Sequence, residues 1–224
     1  MPASPRDAPP SDELQVHPVA ELDGRQLGQL ELVYAQAFPA HLRVPLPELA
    51  APGPQDQLLA GLLGDDVAAF AALRLLETVG WVFLRYYGVA TQRRRRRLGL
   101  RFWQLLTPSL AMAGWPARIA FEVEDPAEAH DDPVERDVRR GRIAFWESCG
   151  AVTLPVPRYV MPALTPLGAA EPMILMAART GGSESPDPAS LAELVRAIYA
   201  EHYRLEPDHS LITAALSSIA AGNG

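Results

Sequence analysis

The feature that most constrains the fold is a run of five arginines between a β-forming segment and a helical one. Trp81–Val89 reads WVFLRYYGV, which is aromatic and β-branched as strands prefer. The arginines occupy 93–97, and the helical pattern RFWQLLTPSL follows, with Pro108 expected to limit or bend the helix. Free backbone amides and the helix dipole attract anions at a helix N-terminus, and arginines add bidentate phosphate contacts. This segment therefore predicts binding of a small molecule that carries a pyrophosphate.

Two other interpretations of the arginine run stay open, a nucleic-acid or localisation patch and a solvated loop. All 20 cations of the 224-residue chain are arginine, and they are outnumbered by 27 carboxylates, for a net charge of -7. This acidic excess argues against a nucleic-acid polymer as partner. No apolar stretch is long enough to span a membrane, the N-terminus lacks a secretory core, and Cys149 is alone. We therefore expect a cytoplasmic protein with no membrane partner.

Hydrophobic periodicity predicts alternating strands and helices around this segment. We expect an edge strand at 14–20, a helix at 24–38 and a proline-rich loop at 39–54, whereas 58–63 is compatible with a helix end or a strand. The runs 67–76 and 81–89 should pair as antiparallel strands. Further strands are predicted at 118–124, 152–160 and 172–177, a helix through Ser148, and two C-terminal helices at 189–203 and 209–221.

Two motifs resemble the GCN5-related N-acetyltransferases, the GNAT superfamily. VATQRRRRRLGLRFWQLL is similar to the family's acetyl-CoA loop, Val-x-Pro-x-x-Arg-Gly-x-Gly-Ile-Gly, with Val89, Arg94, Leu98 and Gly99 on the Val, Arg, Ile and last Gly. RIAFWESCGA at 142–151 resembles the family's second signature, Arg-x-x-Phe-Tyr-Glu-x-x-Gly-Phe. The predicted strand RIAFEVE lies between them, where the family has its fifth strand. The resemblance covers about 67–177, nearly half of the chain.

The resemblance implies an α/β fold with a mixed, mainly antiparallel sheet flanked by helices and a C-terminal helical extension. Composition and periodicity add a disordered tail at 1–12 and a helical pair at 181–224 packed on the domain, and the resemblance makes 13–180 an acyl-CoA-binding N-acyltransferase domain. It implies acetyl-CoA as cofactor and direct attack by a primary amine, from a small molecule or a peptide, in a ternary complex. The implied cofactor residues are Tyr87, Val89, Arg94, Arg95, Arg96, Arg97, Leu98, Gly99, Leu100 and Trp146.

The sequence departs from the family pattern in the acetyl-CoA loop and at the position of the general acid. Arg95 and Arg97 replace two glycines, so we expect the loop to keep ordinary helical geometry, with close approach at Gly99 alone. Trp146 stands where many members have the tyrosine that protonates the departing thiolate, and an indole cannot do so. Either no residue protonates the thiolate, or a residue at another position does. The rival interpretation is a regulatory module that binds acyl-CoA without turnover.

Glu122 and Glu124 are the candidate bases, because residues two apart on a strand share a face and a carboxylate can take the ammonium proton. The alternative is that both are ordinary solvent-facing residues. Tyr159 is a candidate replacement acid or a packing residue, whereas Tyr199 and Tyr203 are expected to pack a helix.

The acidic loop at 125–137 has no metal-ligand spacing. It predicts solvated charge or attraction of a cationic amine, and no metal. The acceptor's identity and whether the chain forms a homodimer stay open.

Overall fold

A single mixed sheet forms the centre of the fold. The computed structural model describes residues 13–50, 53–164, 168–179 and 186–221, without the side chains of 94–96, 179, 220 and 221. Eight strands of these residues form one sheet in the order β1-β2-β3-β4-β5-β8-β6, with β7 added beside β8. The strands are β1 Leu14–Pro18, β2 Asp56–Leu63, β3 Asp66–Leu76, β4 Trp81–Val89, β5 Arg118–Glu124, β6 Val152–Thr153, β7 Val160–Met161 and β8 Glu171–Arg179. Neighbours are antiparallel except β4 and β5, which are parallel, so the predicted mixed, mainly antiparallel sheet is confirmed.

Helices cover both faces of this sheet. They are α1 Gly24–Ala37, α2 Leu46–Ala50, α3 Leu98–Met112, α4 Pro133–Ser148, α5 Pro188–Ala197 and α6 Ser210–Ala221. Alternate residues of β3 show which helices share a face, since side chains two apart leave the same side. Phe70 packs in the cluster of α1, and Leu76 packs in the cluster of α5 and α6. Leu73, on the opposite face, packs with residues of α3 and α4.

Local chemistry explains where α1 begins and what it buries. Asp23 accepts a hydrogen bond from the Gln26 amide at 2.8 Å, and the Gln26 side chain accepts one from the Asp23 amide, which forms a capping box. Leu30, Val33 and Tyr34 follow at helical spacing and are buried against the sheet. The structure thus confirms the helix expected at 24–38.

At three segments that contain proline, the secondary structure differs from the sequence expectations. The loop predicted at 39–54 contains α2, because Pro45 and Pro47 precede or occupy the first turn, where a missing N–H costs nothing, and Leu49 is buried. Pro108 does not end α3, which continues to Met112 with Leu110 buried beyond it. The strand expected at 152–160 is reduced to β6 and the first residue of β7, since prolines between them cannot join a ladder.

The C-terminal helices pack on the sheet through one continuous apolar cluster. Leu191, Leu194 and Val195 of α5 are buried with Leu175 of β8. A π-helical turn at Ile198–His202 continues α5 before α6 begins. The tail at 1–12, residues 181–185 and Gly222 lie outside the described residues, so the expectations made for them stay expectations. Within the described part, no helix is both long and apolar enough to cross a membrane.

Candidate active site

The two parallel strands at the centre of the sheet separate soon after they begin. β4 and β5 pair only at Val82 with Ile119 and at Phe83 with Ala120. Beyond these positions each strand has backbone groups with no partner in the other strand. The result is a gap in the sheet at the carboxyl ends of β4 and β5.

A cavity of about 840 Å³ occupies this gap. Its wall includes Trp146 of α4 on one face of the sheet and Phe38, just after α1, on the other. The cavity therefore connects the two faces between β4 and β5. A molecule bound on one side could contact a molecule bound on the other.

The arginine loop lies at one end of the cavity, where α3 begins. Arg97 is the N-cap and adopts left-handed backbone geometry with φ 52° and ψ 24°, and its side chain makes no capping hydrogen bond. Ordinary helical geometry, expected for this loop, is therefore wrong at Arg97. The following amides at 98–100 lack intrahelical acceptors because they open a helix. They are unpaired donors at a helix N-terminus, which is where the sequence predicts an anion site.

At Gly99, α3 packs tightly against β4 and α4. A Cβ there would lie 3.2 Å from the Phe145 ring, so the packing leaves little room for a side chain at this position. The Tyr87 hydroxyl donates a hydrogen bond to the Gly99 carbonyl at 2.5 Å, and its burial raises the pKa of Tyr87 well above the usual range. These contacts fix the start of α3 against the end of β4.

Most of the predicted cofactor residues meet at the cavity. Six of them line it: Tyr87, Val89, Arg97, Gly99, Leu100 and Trp146. Leu98 does not, because its side chain is 2% exposed and lies in the core between the sheet and α3. The side chains of Arg94, Arg95 and Arg96 lie outside the described residues; their backbone belongs to a 3-10 turn at Thr91–Arg96.

Trp146 forms part of an aromatic wall. Its indole is 7% exposed and packs 4.3 Å from the Phe121 ring and 5.0 Å from the Tyr87 ring, between centroids. This wall is apolar, and Trp146 contributes no acidic proton to it.

Glu122 is held at the cavity by two tyrosines from different elements. Tyr159 donates to Oε1 at 2.5 Å, and Tyr203 donates to Oε2 at 2.6 Å. Burial raises the pKa of Glu122 to about 7, although both tyrosine hydrogen bonds lower it. Glu122 is thus a cavity-lining carboxyl that changes protonation near neutral pH, and the solvent-facing alternative is wrong for it.

The two tyrosines have different positions relative to the cavity. Tyr159 is 1% exposed, stacks on Tyr199 and lies outside the cavity wall, so its position does not support a role as the acid at the acyl group. Tyr203 lines the cavity, although the sequence pattern indicated a packing residue. The π-helical turn before it shifts the phase of the helix, and nothing in the local sequence signals this turn.

Glu124 shares the face of Glu122 and lines the same cavity, as the strand alternation predicts. Its Oε2 forms an ion pair with Arg142 Nη1 at 2.6 Å. Glu124 and Arg142 also line an adjacent pocket of about 500 Å³ whose wall includes Glu135 and Glu171. The described residues contain no cluster of three or more side chains arranged to hold a metal ion.

Sequence reasoning missed Arg85 and His202, which also line the cavity. The pairing of β3 with β4 passes from Ala72–Tyr86 to Leu73–Leu84, which leaves Arg85 as the extra residue of a β-bulge. Because of the bulge, Arg85 and Tyr86 can both lie on the face of α1 and α5. A strict strand alternation would place them on opposite faces.

No protein-family model and no curated protein matches the sequence, but many solved structures match the fold. A GNAT-family protein from Bacteroides thetaiotaomicron is 17% identical over 87% of this chain and 99% of its own, with a TM-score of 0.66. The ribosomal-protein-S18-alanine N-acetyltransferase of Escherichia coli is 18% identical over 77% of this chain and 97% of its own, with a TM-score of 0.53. A GNAT-family acetyltransferase from Elizabethkingia anophelis with acetyl-CoA bound is 11% identical over 76% and 100%, with a TM-score of 0.53.

Proposed function

Because this chain has the fold of the GNAT acetyltransferases, we propose that it transfers an acetyl group from acetyl-CoA to a primary amine. One observation carries the proposal. The gap between β4 and β5 joins an uncapped helix N-terminus to a carboxyl group that titrates near neutral pH, within one cavity. Acyl transfer to an amine needs both an anchor for the cofactor and a proton acceptor for the ammonium group.

The residues at the cavity fit the parts of acetyl-CoA. The amides at 98–100 and the Arg97 guanidinium would hold the pyrophosphate. The unpaired edge of β4 beyond Phe83 offers backbone donors and acceptors to the pantetheine amides. The aromatic wall around Trp146 would surround the thiol end. A fold neighbour, the protein from Elizabethkingia anophelis, has acetyl-CoA bound.

Glu122 is the proposed general base. Bound acetyl-CoA supplies an activated acyl group, and the amine can attack it directly only after losing its ammonium proton. A carboxyl with a pKa of about 7 is half ionised at neutral pH and matches the proton-transfer task there. Glu124 is a weaker candidate because Arg142 already neutralises it.

Tyr203 is the proposed acid in place of the tyrosine that Trp146 replaces. Its hydroxyl lines the cavity and is hydrogen bonded to Glu122. Once Glu122 is protonated, it can return a proton to the Tyr203 oxygen while Tyr203 gives its own proton to the departing thiolate. The proton taken from the ammonium group then leaves with coenzyme A, and Glu122 returns to its starting form. The second proton, which the nitrogen loses as the amide forms, goes to solvent. Tyr159 would hold the carboxyl in place from behind.

The second candidate is a module that binds acyl-CoA without turnover, and Trp146 is the observation that favours it. Calorimetry with acetyl-CoA tests the shared part of both proposals. No binding at high micromolar concentration refutes both. Binding with thiol release across an amine panel supports the transferase, and binding without release supports the module. The Glu122→Gln variant should bind acetyl-CoA normally and release thiol far more slowly, whereas Glu124→Gln serves as the matched control on the same strand.

A further inference from the structure

The cavity holds a second polar end that acetyl transfer does not require. Arg85 lines it from the bulge in β4, and its side chain is 14% exposed. Because β-bulges redirect side chains, the extra residue puts Arg85 on the face of α1 and α5, where it borders the gap. The thiol-pocket residues of α4 lie on the other face. Arg85 is therefore on the side from which the amine would enter.

The positive charge of Arg85 is incompletely matched by the protein. Its nearest carboxylate is Asp56, but Arg74 already takes both oxygens of Asp56 at 2.7 and 2.6 Å. Arg85 Nη1 lies 3.5 Å from Asp56 Oδ1, outside the short range of a strong ion pair. Among the described residues, nothing accepts a hydrogen bond from the buried Arg85 Nε. Two guanidiniums therefore share one carboxylate, and the less well bonded guanidinium lines the cavity.

His202 adds a second unpartnered polar group to the same wall. Its Nδ1 is buried and has no hydrogen-bond partner within the described part of the chain. Burial lowers the pKa of His202 well below its usual value, and the charges of Arg85, Arg74 and Arg204 lower it further. A neutral imidazole can donate one hydrogen bond without adding charge. Unmet buried donors are costly, so a ligand that satisfies them gains affinity.

On the two strands that border the gap, the charges are separated by sign. Glu122 and Glu124 project from β5, and Arg85 projects from β4. An ammonium group beside Glu122 and an anionic group beside Arg85 would each meet the opposite charge. We propose that the acceptor amine also carries an anionic group, a carboxylate or a phosphate, and that Arg85 binds it. This inference rests on the proposed transferase function and specifies its substrate class as amino carboxylates or aminoalkyl phosphates.

Matched acceptor pairs test the inference. We would measure kcat/KM by thiol release with acetyl-CoA for glycine, β-alanine and 4-aminobutyrate, each against its carboxamide, and for phosphoethanolamine against ethanolamine. The anionic member of at least one pair should be better by about 30-fold or more, the lower end of the effect of a buried charge pair. The pair that shows the preference identifies carboxylate or phosphate. Equal rates within every pair overturn the inference and leave the transferase proposal intact.

The Arg85→Gln variant assigns the preference to one residue. The preference should disappear in it, because the rates of the anionic acceptors should fall to those of the neutral ones. Arg43→Gln is the matched control, since Arg43 is also partly buried and has an unpartnered Nε but lies outside the cavity wall. A preference that survives Arg85→Gln overturns the assignment. If Arg85→Gln does not fold, Arg85→Lys retains the charge without the planar fork, and its preference should fall between wild type and no preference.

Binding separates this inference from the proposed function. Calorimetry of each acceptor with the protein saturated by coenzyme A needs no turnover. Tighter binding of the anionic members that is lost in Arg85→Gln supports the anion site even if no acceptor is acetylated. Absence of coenzyme A and acetyl-CoA binding contradicts the transferase proposal instead. Binding of coenzyme A with no difference between anionic and neutral members contradicts the anion site alone.

Discussion

Replacing Glu122 by glutamine should remove a specific part of the pH dependence of stability. Glu122 has an ordinary pKa of 4.5 when exposed and a pKa of about 7 in the folded protein, chiefly because it is buried. Between these values the folded protein keeps a proton that the unfolded chain has released. The free energy of unfolding contributed by Glu122 therefore falls as the pH rises from 4.5 to 7. It is fully lost above pH 7.

The pKa difference sets the size of this effect. At about 1.4 kcal/mol per pKa unit, the shift corresponds to about 3 kcal/mol. Glutamine has nearly the same shape and does not titrate. The difference in unfolding free energy between wild type and Glu122→Gln should therefore change by about 3 kcal/mol in favour of the variant between pH 4.5 and 8.

Urea unfolding at four pH values between 4.5 and 8 measures this difference directly. Glu124→Gln is the control, because it removes the same charge from the same strand at a site paired with Arg142. A difference between wild type and Glu122→Gln that stays constant within about 0.5 kcal/mol refutes the burial argument. In parallel, kcat/KM of the wild type should rise as the pH passes 7, and Glu122→Gln should lose about 10²- to 10⁴-fold in rate.

Four further substitutions test the packing and the site. Gly88→Ala should destabilise the protein by about 1–3 kcal/mol in urea unfolding, since its Cβ would lie 2.3 Å from a phenylalanine ring of β3. Gly28→Ala, with open space around the Cβ, should instead stabilise α1 by about 0.5–1 kcal/mol, and the reverse order of the two variants contradicts the packing. Arg97→Gly should raise stability by about 1 kcal/mol because it relieves left-handed backbone strain at φ 52°. Tyr203→Phe removes a hydrogen bond that lowers the pKa of Glu122, so the midpoint of the rate-pH profile should move upward.

The parts of the site predicted from the sequence are those that depend on local periodicity and loop chemistry. Alternation along RIAFEVE correctly places Glu122 and Glu124 on one face. The order of strand, basic loop and helix correctly places Val89 and Gly99 at one end of the cavity. Both inferences need only backbone geometry within one element or across one junction, which the sequence specifies.

The missed parts depend on irregularities that change the phase of an element. The pattern WVFLRYYGV gives no sign that Arg85 is the extra residue of a bulge, since a bulge is defined by the partner strand. His202 and Tyr203 follow a π-helical turn, and helical spacing alone assigns them to a packing face. Tertiary contacts therefore decide which side chains reach the proposed acceptor side of the cavity.

The C-terminal extension contributes side chains to the cavity wall as well as covering the sheet. Tyr199 donates a hydrogen bond to the Val160 carbonyl of β7 at 2.8 Å, and Arg74 of β3 donates one to the Glu201 carbonyl at 3.3 Å. The π-helical turn is therefore attached to β3 and to β7. This attachment aims the Tyr203 hydroxyl at Glu122. Because Trp146 cannot supply a proton, the proton route proposed for this chain depends on that attachment. Loosening the turn should therefore lower the rate of acetyl transfer without weakening the binding of acetyl-CoA, whose proposed anchoring groups lie at the start of α3 and along β4.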